Sequence, residues 1–379
     1  MISMSHFTVL VALDKSVDIT PTDSGDRFGL EFALDQVLER FSENREVEPY
    51  REYLDGGPED FWWVQATRRN RDDYVNGTGI KTYEPGFLGF LTVVSGDSPE
   101  RQRAQQLEWK EWADRLDRIA SNNDIDQLTW LDVISEYDAW KRLTGDNSPE
   151  IFHDAESDRA YELPTYNPDS KWDWWTIGGR WAGKFIATPD HKLEDVITAR
   201  NTFGWNAPPR ESWEGRVDGG RVKYVDLNAA RDEAADLVMK RYRIYTECVT
   251  RVGGGLPWSN YLGRVEAGEL TIQKARELYR EQPLKKALNE TEEFKFSWEC
   301  AIDEFSVDVE ELVARERRSA VTCFSMVTKE GEWVEPGQMG WFGMSSDTRE
   351  SREAYDVKVN GYLESLDPDD VIVVIDCHI

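Results

Sequence analysis

The chain has 379 residues, 40% of them hydrophobic, with 73 acidic side chains against 45 basic ones and a formal net charge of −28. That length and apolar content can bury a large core in one or two domains, and no apolar run reaches the roughly 20 residues needed to span a bilayer. A field this negative repels nucleic-acid phosphates and anionic membranes, so neither direct nucleic-acid binding nor membrane association is expected.

The acidity is global, since residues 1–150 alone carry 30 acidic and 16 basic side chains. Residues 171–251 depart from it, with 14 Lys or Arg against 12 Asp or Glu. This cationic island reads either as an anion pocket or as ordinary salt-bridged surface. Cys248, Cys300, Cys323 and Cys377 show no C-x-x-C spacing, which fits buried, inert thiols in a reducing compartment. The start MISMSHF lacks the basic-then-apolar layout of a secretory signal, and a cytoplasmic location is expected.

In chain order, Phe7–Leu13 (FTVLVAL) predicts a strand, and Gly29–Ser42, with Leu30, Leu34, Leu38 and Phe41 at helical spacing, predicts a helix. Pro99 at a helix start and the stripe Trp109, Trp112, Leu116 and Ile119, followed by Ile125 to Trp140, predict a helical hairpin over 99–144. Trp172–Thr176 and Arg180–Ala187 read as two strands of a Trp-rich hairpin (166–187) turning at Ile177-Gly178-Gly179. Helices are predicted over 226–248 and 271–288, with Pro283 interrupting the second. Ala320–Thr328 and Glu332–Glu335 read as paired strands, Arg349–Leu366 as a helix and Asp370–Cys377 as a buried strand.

Joined, the two ends give β-α-β-β-α-β. The predicted class is therefore α+β, a ferredoxin-like core from 1–45 and 315–379 with a mixed insertion domain over 46–314. In that topology the first and last strands run antiparallel. His6 then meets His378, with Asp376 on the same face by the two-residue period.

Two constellations carry chemistry. His6, His378 and Asp376 can serve as an acid–base set or bind a divalent metal, or else simply cap the sheet edge. His6-Phe7-Thr8 has the His-x-Thr form of two-histidine phosphoesterases, but His378 is followed only by Ile379. The second is the block YNPDSKWDWWTIGGRW at 166–181, four Trp around a Gly pair and an Arg. Here Lys171 and Arg180 offer cations for phosphate, Trp172 or Trp175 a face for a base, Gly178 and Gly179 close approach, and Asp173 a polar partner. The alternative is that the glycines serve only the turn, with Arg180 paired to Asp173 and the indoles in the core. Glu335–Met344 (EPGQMGWFGM) reads as an aromatic lid carrying Trp341, or a packed Ω-loop. Gly253-Gly254-Gly255 lacks the Lys-Ser/Thr of a phosphate-binding loop, and no G-x-S-x-G elbow is present.

Met4–Val11 (MSHFTVLV), Asn167–Trp181 (NPDSKWDWWTIGGRW), Met339–Met344 (MGWFGM) and Asp376–Ile379 (DCHI) together resemble a family of uncharacterised bacteriophage proteins found among phages of actinobacteria and others. The resemblance implies a phage accessory protein acting in the cytoplasm of the infected host, and a start at Met4. It brings no activity or catalytic residues. Two functions are therefore expected as alternatives. One is a protein that binds, or also cleaves, a nucleotide or other phosphorylated small molecule. The other is an acidic inhibitor or decoy of a basic host protein, such as a nucleic-acid-binding or defence factor.

Overall fold

Two apolar, β-branched runs form the longest strands, His6–Leu13 (β1) and Val371–His378 (β11). The computed structural model describes residues 6–68, 110–144, 147–198, 214–295, 301–338 and 345–379, apart from 24, 66, 113, 117, 120, 121 and 123. After β1 come α1 (Phe28–Leu38), β2 (Glu52–Tyr53), α2 (Trp130–Thr144), β3 (Phe152–Asp154) and β4 (Arg159–Glu162). Next are β5 (Trp174–Ile177), β6 (Phe185–Ile186), β7 (Val196–Thr198), β8 (Arg216–Arg221) and α3 (Leu227–Val252). A helical run follows: α4 (Trp258–Glu266), α5 (Ile272–Glu281), α6 (Pro283–Asn289) and α7 (Val309–Ser319). β9 (Ser325–Val327), β10 (Trp333–Val334) and α8 (Arg349–Ser365) precede β11.

The chain divides into two compact units, Met1–Arg45 with Pro168–Ile379, and Glu46–Asn167. The first is built on an eight-stranded mixed sheet in the order β10-β9-β1-β11-β8-β6, with β5 also paired to β11 and β7 to β8. The architecture is α+β.

β1 and β11 pair antiparallel from His6↔His378 to Leu13↔Val371. The two-residue period then splits their side chains between two cores. Leu10, Ala12, Ile372 and Val374 face one, together with Tyr355, Val359 and Leu363 of α8 and Ala230 of α3. Phe7, Val9, Val11, Val371, Val373 and Ile375 face the other, with Leu30, Leu34 and Leu38 of α1. Burial of each such large aliphatic chain is worth about 1.5–3 kcal/mol, and this two-sided burial makes the central strands continuously apolar.

The ferredoxin-like expectation is corrected by the strand order. In a split βαβ frame the third strand separates the first from the second. Here Val9, Leu10 and Val11 pair directly and in parallel with Ser325, Met326 and Val327, and β10 lies outside β9 at the edge. The reason is burial: β9 is buried at all three positions, whereas β10 is two residues long, has Trp333 partly exposed, and is followed within two residues by Pro336.

The Trp-rich hairpin is also corrected. β5 pairs with β11, β6 pairs with β8, and Gly179–Trp181 forms a single 3-10 turn between them. Residues 168–314 therefore belong to the sheet-bearing unit, because β5 to β8 widen the sheet and α3 covers one face.

α3 runs four residues past the predicted end and is started by Asp226, whose side chain accepts from the Ala229 N–H. The distal part of α3, α4 to α7 and the turn at Ala301–Glu304 enclose a separate cluster around Tyr261, Tyr279, Leu284, Phe294 and Leu312.

Glu46–Asn167 has its own core of Trp63, Trp112, Leu116, Ile125, Trp130, Val133 and Tyr137, and a three-stranded antiparallel sheet β2-β4-β3. The second arm of the predicted helical hairpin is α2. The stripe residues Trp112 and Leu116 are core, while Trp109 and the start at Pro99 lie outside the described residues.

Candidate functional site

The β1/β11 register sets His6 opposite His378 at one end of the sheet, their ring centroids 5.1 Å apart and nearly perpendicular. Asp376 shares their face. His6 Nδ1 lies 2.8 Å from Asp376 Oδ1, and His378 Nδ1 lies 2.6 Å from Asp173 Oδ1. A carboxylate accepts, so each pairing directs an Nδ1–H at its Asp and leaves Nε2 as the second ring nitrogen for another partner. Asp173 is held in place by its own N–H, which donates to the His378 carbonyl at 3.0 Å.

Trp174 completes the cluster. It stacks on the His378 ring at 5.2 Å and 15° and meets His6 edge-on at 5.2 Å. Its register opposite His378 on β5 puts it on the histidine face, and 36% of its surface stays exposed. His378 is only 5% exposed, and its Nε2 is buried with no hydrogen-bond partner among the described residues. An unmade hydrogen bond of this kind costs about 1–3 kcal/mol.

The turn after β5 is built around two buried carboxylates. Gly178 and Gly179 have φ of +67° and +52°, and a Cβ at either would lie 2.4 Å from Asp218 Oδ2 or from Asp376. Glycine is therefore required twice over, by conformation and by space. Asp376 Oδ2 accepts from the Arg180 N–H at 2.9 Å, and Asp218 Oδ1 accepts from the Gly183 N–H at 2.6 Å. The space beside these glycines is thus filled by the protein's own carboxylates, and their expected role in close approach of a ligand is corrected. Asp376 joins the turn to the histidine: one oxygen orients His6 and the other anchors Arg180.

Arg180 is exposed and makes no ion pair among the described residues, and Asp173 serves His378 instead of Arg180. The structure does not bring the other aromatic and basic candidates to this cluster. Trp172 is 9% exposed within the opposite core. Trp175 packs against that same core and lines a cavity of about 320 Å³ with Arg27, Glu31 and Asp35. Lys171 pairs with Glu335 at 2.9 Å, beside a cavity of about 400 Å³ lined by Arg40, Phe41 and Trp333. Trp341 lies outside the described residues. Sequence reasoning passed over Trp174, because only its pairing with β11 shows which of three neighbouring indoles faces the histidines.

Among the described residues no three His, Cys, Asp or Glu side chains gather so as to hold a metal ion. His6 and His378 are bonded through Nδ1 to two different carboxylates, and both Asp376 oxygens accept from protein donors. The expected divalent-metal set of these three is thus not assembled among the described residues. Burial pushes the thiols of Cys323 and Cys377 up from the usual range, so neither is an activated nucleophile. What the geometry offers is a pair of oriented imidazoles under an indole, with the backbone of the exposed Arg180 anchored to the same Asp376. None of the described helices is long and apolar enough to cross a membrane. No protein-family model, curated protein or solved structure matches the chain.

Proposed function

We propose that the protein binds a phosphorylated small molecule of the nucleotide class and cleaves a phosphoester bond in it with His6 and His378. The observation that carries this reading is the pair of imidazoles, each fixed through Nδ1 by its own carboxylate, at 2.8 and 2.6 Å, with ring centroids 5.1 Å apart. Two such groups suit general acid–base chemistry. A neutral Nε2 takes the proton of the attacking water as its oxygen bonds to phosphorus, and the protonated partner gives its Nε2–H to the leaving oxygen as the P–O bond breaks. Arg180 supplies a planar fork for the anion, and the Trp174 face accommodates a base. A phage accessory protein working in the host cytoplasm is the setting that the resemblance at 4–11, 167–181, 339–344 and 376–379 supports.

The test is hydrolysis of a chromogenic p-nitrophenyl phosphodiester. His6→Gln and His378→Gln are each expected to lower kcat by at least ~100-fold, and wild-type rates in both variants would sink the reading. The charge of −28 favours the second reading, an acidic inhibitor of a basic host protein. That complex would be salt-labile and indifferent to His6→Gln.

A further inference from the structure

We infer that the cavity between β1, the segment before β6 and the facing parts of α7 and α8 is an anion site that holds a second phosphate of the substrate. The substrate would then be a nucleotide phosphorylated on both sides of its sugar. The inference deepens the acid–base proposal and rests on it for the role of the scissile group, whereas anion binding in the cavity is independent of the histidines.

The cavity is an open one of about 460 Å³, within the size range of small-ligand sites. Four cations line it: Lys184, Arg315, Arg349 and Arg352. Lys184 is half-buried and makes no ion pair among the described residues. Its charge is felt by the buried Cys323 thiol in the same wall, where it opposes the upward push of burial.

The three arginines are steered by carboxylates: Arg315 by Glu316 at 3.0 Å, Arg349 by Glu353 at 2.9 Å and Arg352 by Asp347 at 2.8 Å. Each guanidinium has five N–H donors, so such bonds orient it and leave others for a phosphate. Arg352 also donates to the Phe324 carbonyl at 3.3 Å, which fixes it in the wall.

Each arginine is balanced by a carboxylate, Arg349 by Glu311 at 3.3 Å as well as by Glu353, so Lys184 is the lining cation with no counter-charge among the described residues. Asp356 accepts from Thr322 Oγ1 at 2.7 Å. In a chain of net −28, a concave surface that sets Lys184 beside three oriented guanidiniums, with the Thr8 hydroxyl still able to donate, is suited to a phosphate.

Position supplies the link to the histidines. Thr8 lines the cavity and follows His6 on the same face of β1, two residues or about 7 Å along the strand. Trp181 lines it as well, one residue after Arg180, whose N–H is bonded to Asp376. The cavity and the histidine pair therefore lie on the same face of β1, adjacent along the strand.

The test is calorimetric titration of the full chain with inorganic phosphate, a nucleoside bisphosphate and the matching monophosphate. The bisphosphate is expected to bind at least about tenfold tighter than the monophosphate, as one charged hydrogen-bonded contact allows. Lys184→Ala should remove that advantage and the binding of inorganic phosphate, Lys184→Arg should retain both, and His6→Gln should leave phosphate binding intact. Equal affinity for the two nucleotides, or phosphate binding unchanged in Lys184→Ala combined with Arg315→Ala, would overturn the inference. Hydrolysis that survives in His6→Gln and His378→Gln would defeat the histidine reading alone, because Lys184-dependent phosphate binding is scored without turnover.

Discussion

Asp376 is the residue on which orientation of the site turns, since one oxygen accepts from His6 Nδ1 and the other from the Arg180 N–H. Asparagine would set an NH₂ against one of these donors. Asp376→Asn is therefore expected to lower kcat on the chromogenic phosphodiester by at least ~100-fold, with KM changed by no more than roughly twofold. A rise in KM that accounted for the whole loss would assign Asp376 to binding instead. Gly179 is the structural counterpart. Alanine there needs a left-handed backbone and a Cβ 2.4 Å from Asp376, so Gly179→Ala should cost at least about 2 kcal/mol in urea denaturation.

At the level of elements, α8 shows how local signals and burial cooperate. Thr348 Oγ1 accepts from the Ser351 N–H at 3.1 Å, and Ser351 Oγ accepts from the Thr348 N–H at 2.8 Å. This reciprocal cap defines the start of the helix, and Thr348→Ala is expected to lower stability by ~1 kcal/mol, read from the urea midpoint. The same helix buries Asp356, whose carboxyl is pushed up from the usual range mainly by burial. A folded-state pKa above the unfolded one means that the native chain holds the proton more tightly. Asp356 thus favours the fold at pH values below its unfolded pKa and progressively disfavours it as pH rises through the folded one. Asp356→Asn should accordingly raise the urea midpoint at pH 7 relative to wild type and narrow the gap at pH 4. No difference between the two pH values would contradict this assignment.

Element by element, legibility follows the physics. α1, α3, α8, β1 and β11 are long enough for their apolar period to declare them. β8 is not: RVDGGR carries charges and two glycines and shows no apolar period. In the structure it runs between β11 and β7, and a Cβ at Gly219 would meet the Ile372 carbonyl oxygen at 2.0 Å. Here glycine marks the close passage of neighbouring strands.

For the whole molecule, two units with separate cores predict two transitions in calorimetric unfolding, one for Glu46–Asn167 and one for the sheet-bearing unit. A single transition with matching calorimetric and van't Hoff enthalpies would count against independent units. Self-repulsion at −28 also predicts that both transitions rise with moderate salt, as the Debye length shrinks to about 10 Å at 0.1 M.

By itself the sequence determined the acidic character, the long helices and the two central strands, which follow from composition and apolar period, properties of contiguous residues. The meeting of His6 with His378 followed from an assumed ferredoxin-like frame, of which the structure keeps the β1/β11 pairing and not the strand order. Only the tertiary structure decided that β9 and not β10 lies beside β1, that β5 leaves its neighbour in sequence to pair with β11, and that Trp174 rather than Trp172 or Trp175 covers the histidines. The same holds for the two glycines, which make room for Asp218 and Asp376. The physical reason is common to all of these: strand partners are chosen by burial and space among residues far apart in the chain, and a shift of one residue turns each side chain to the opposite face.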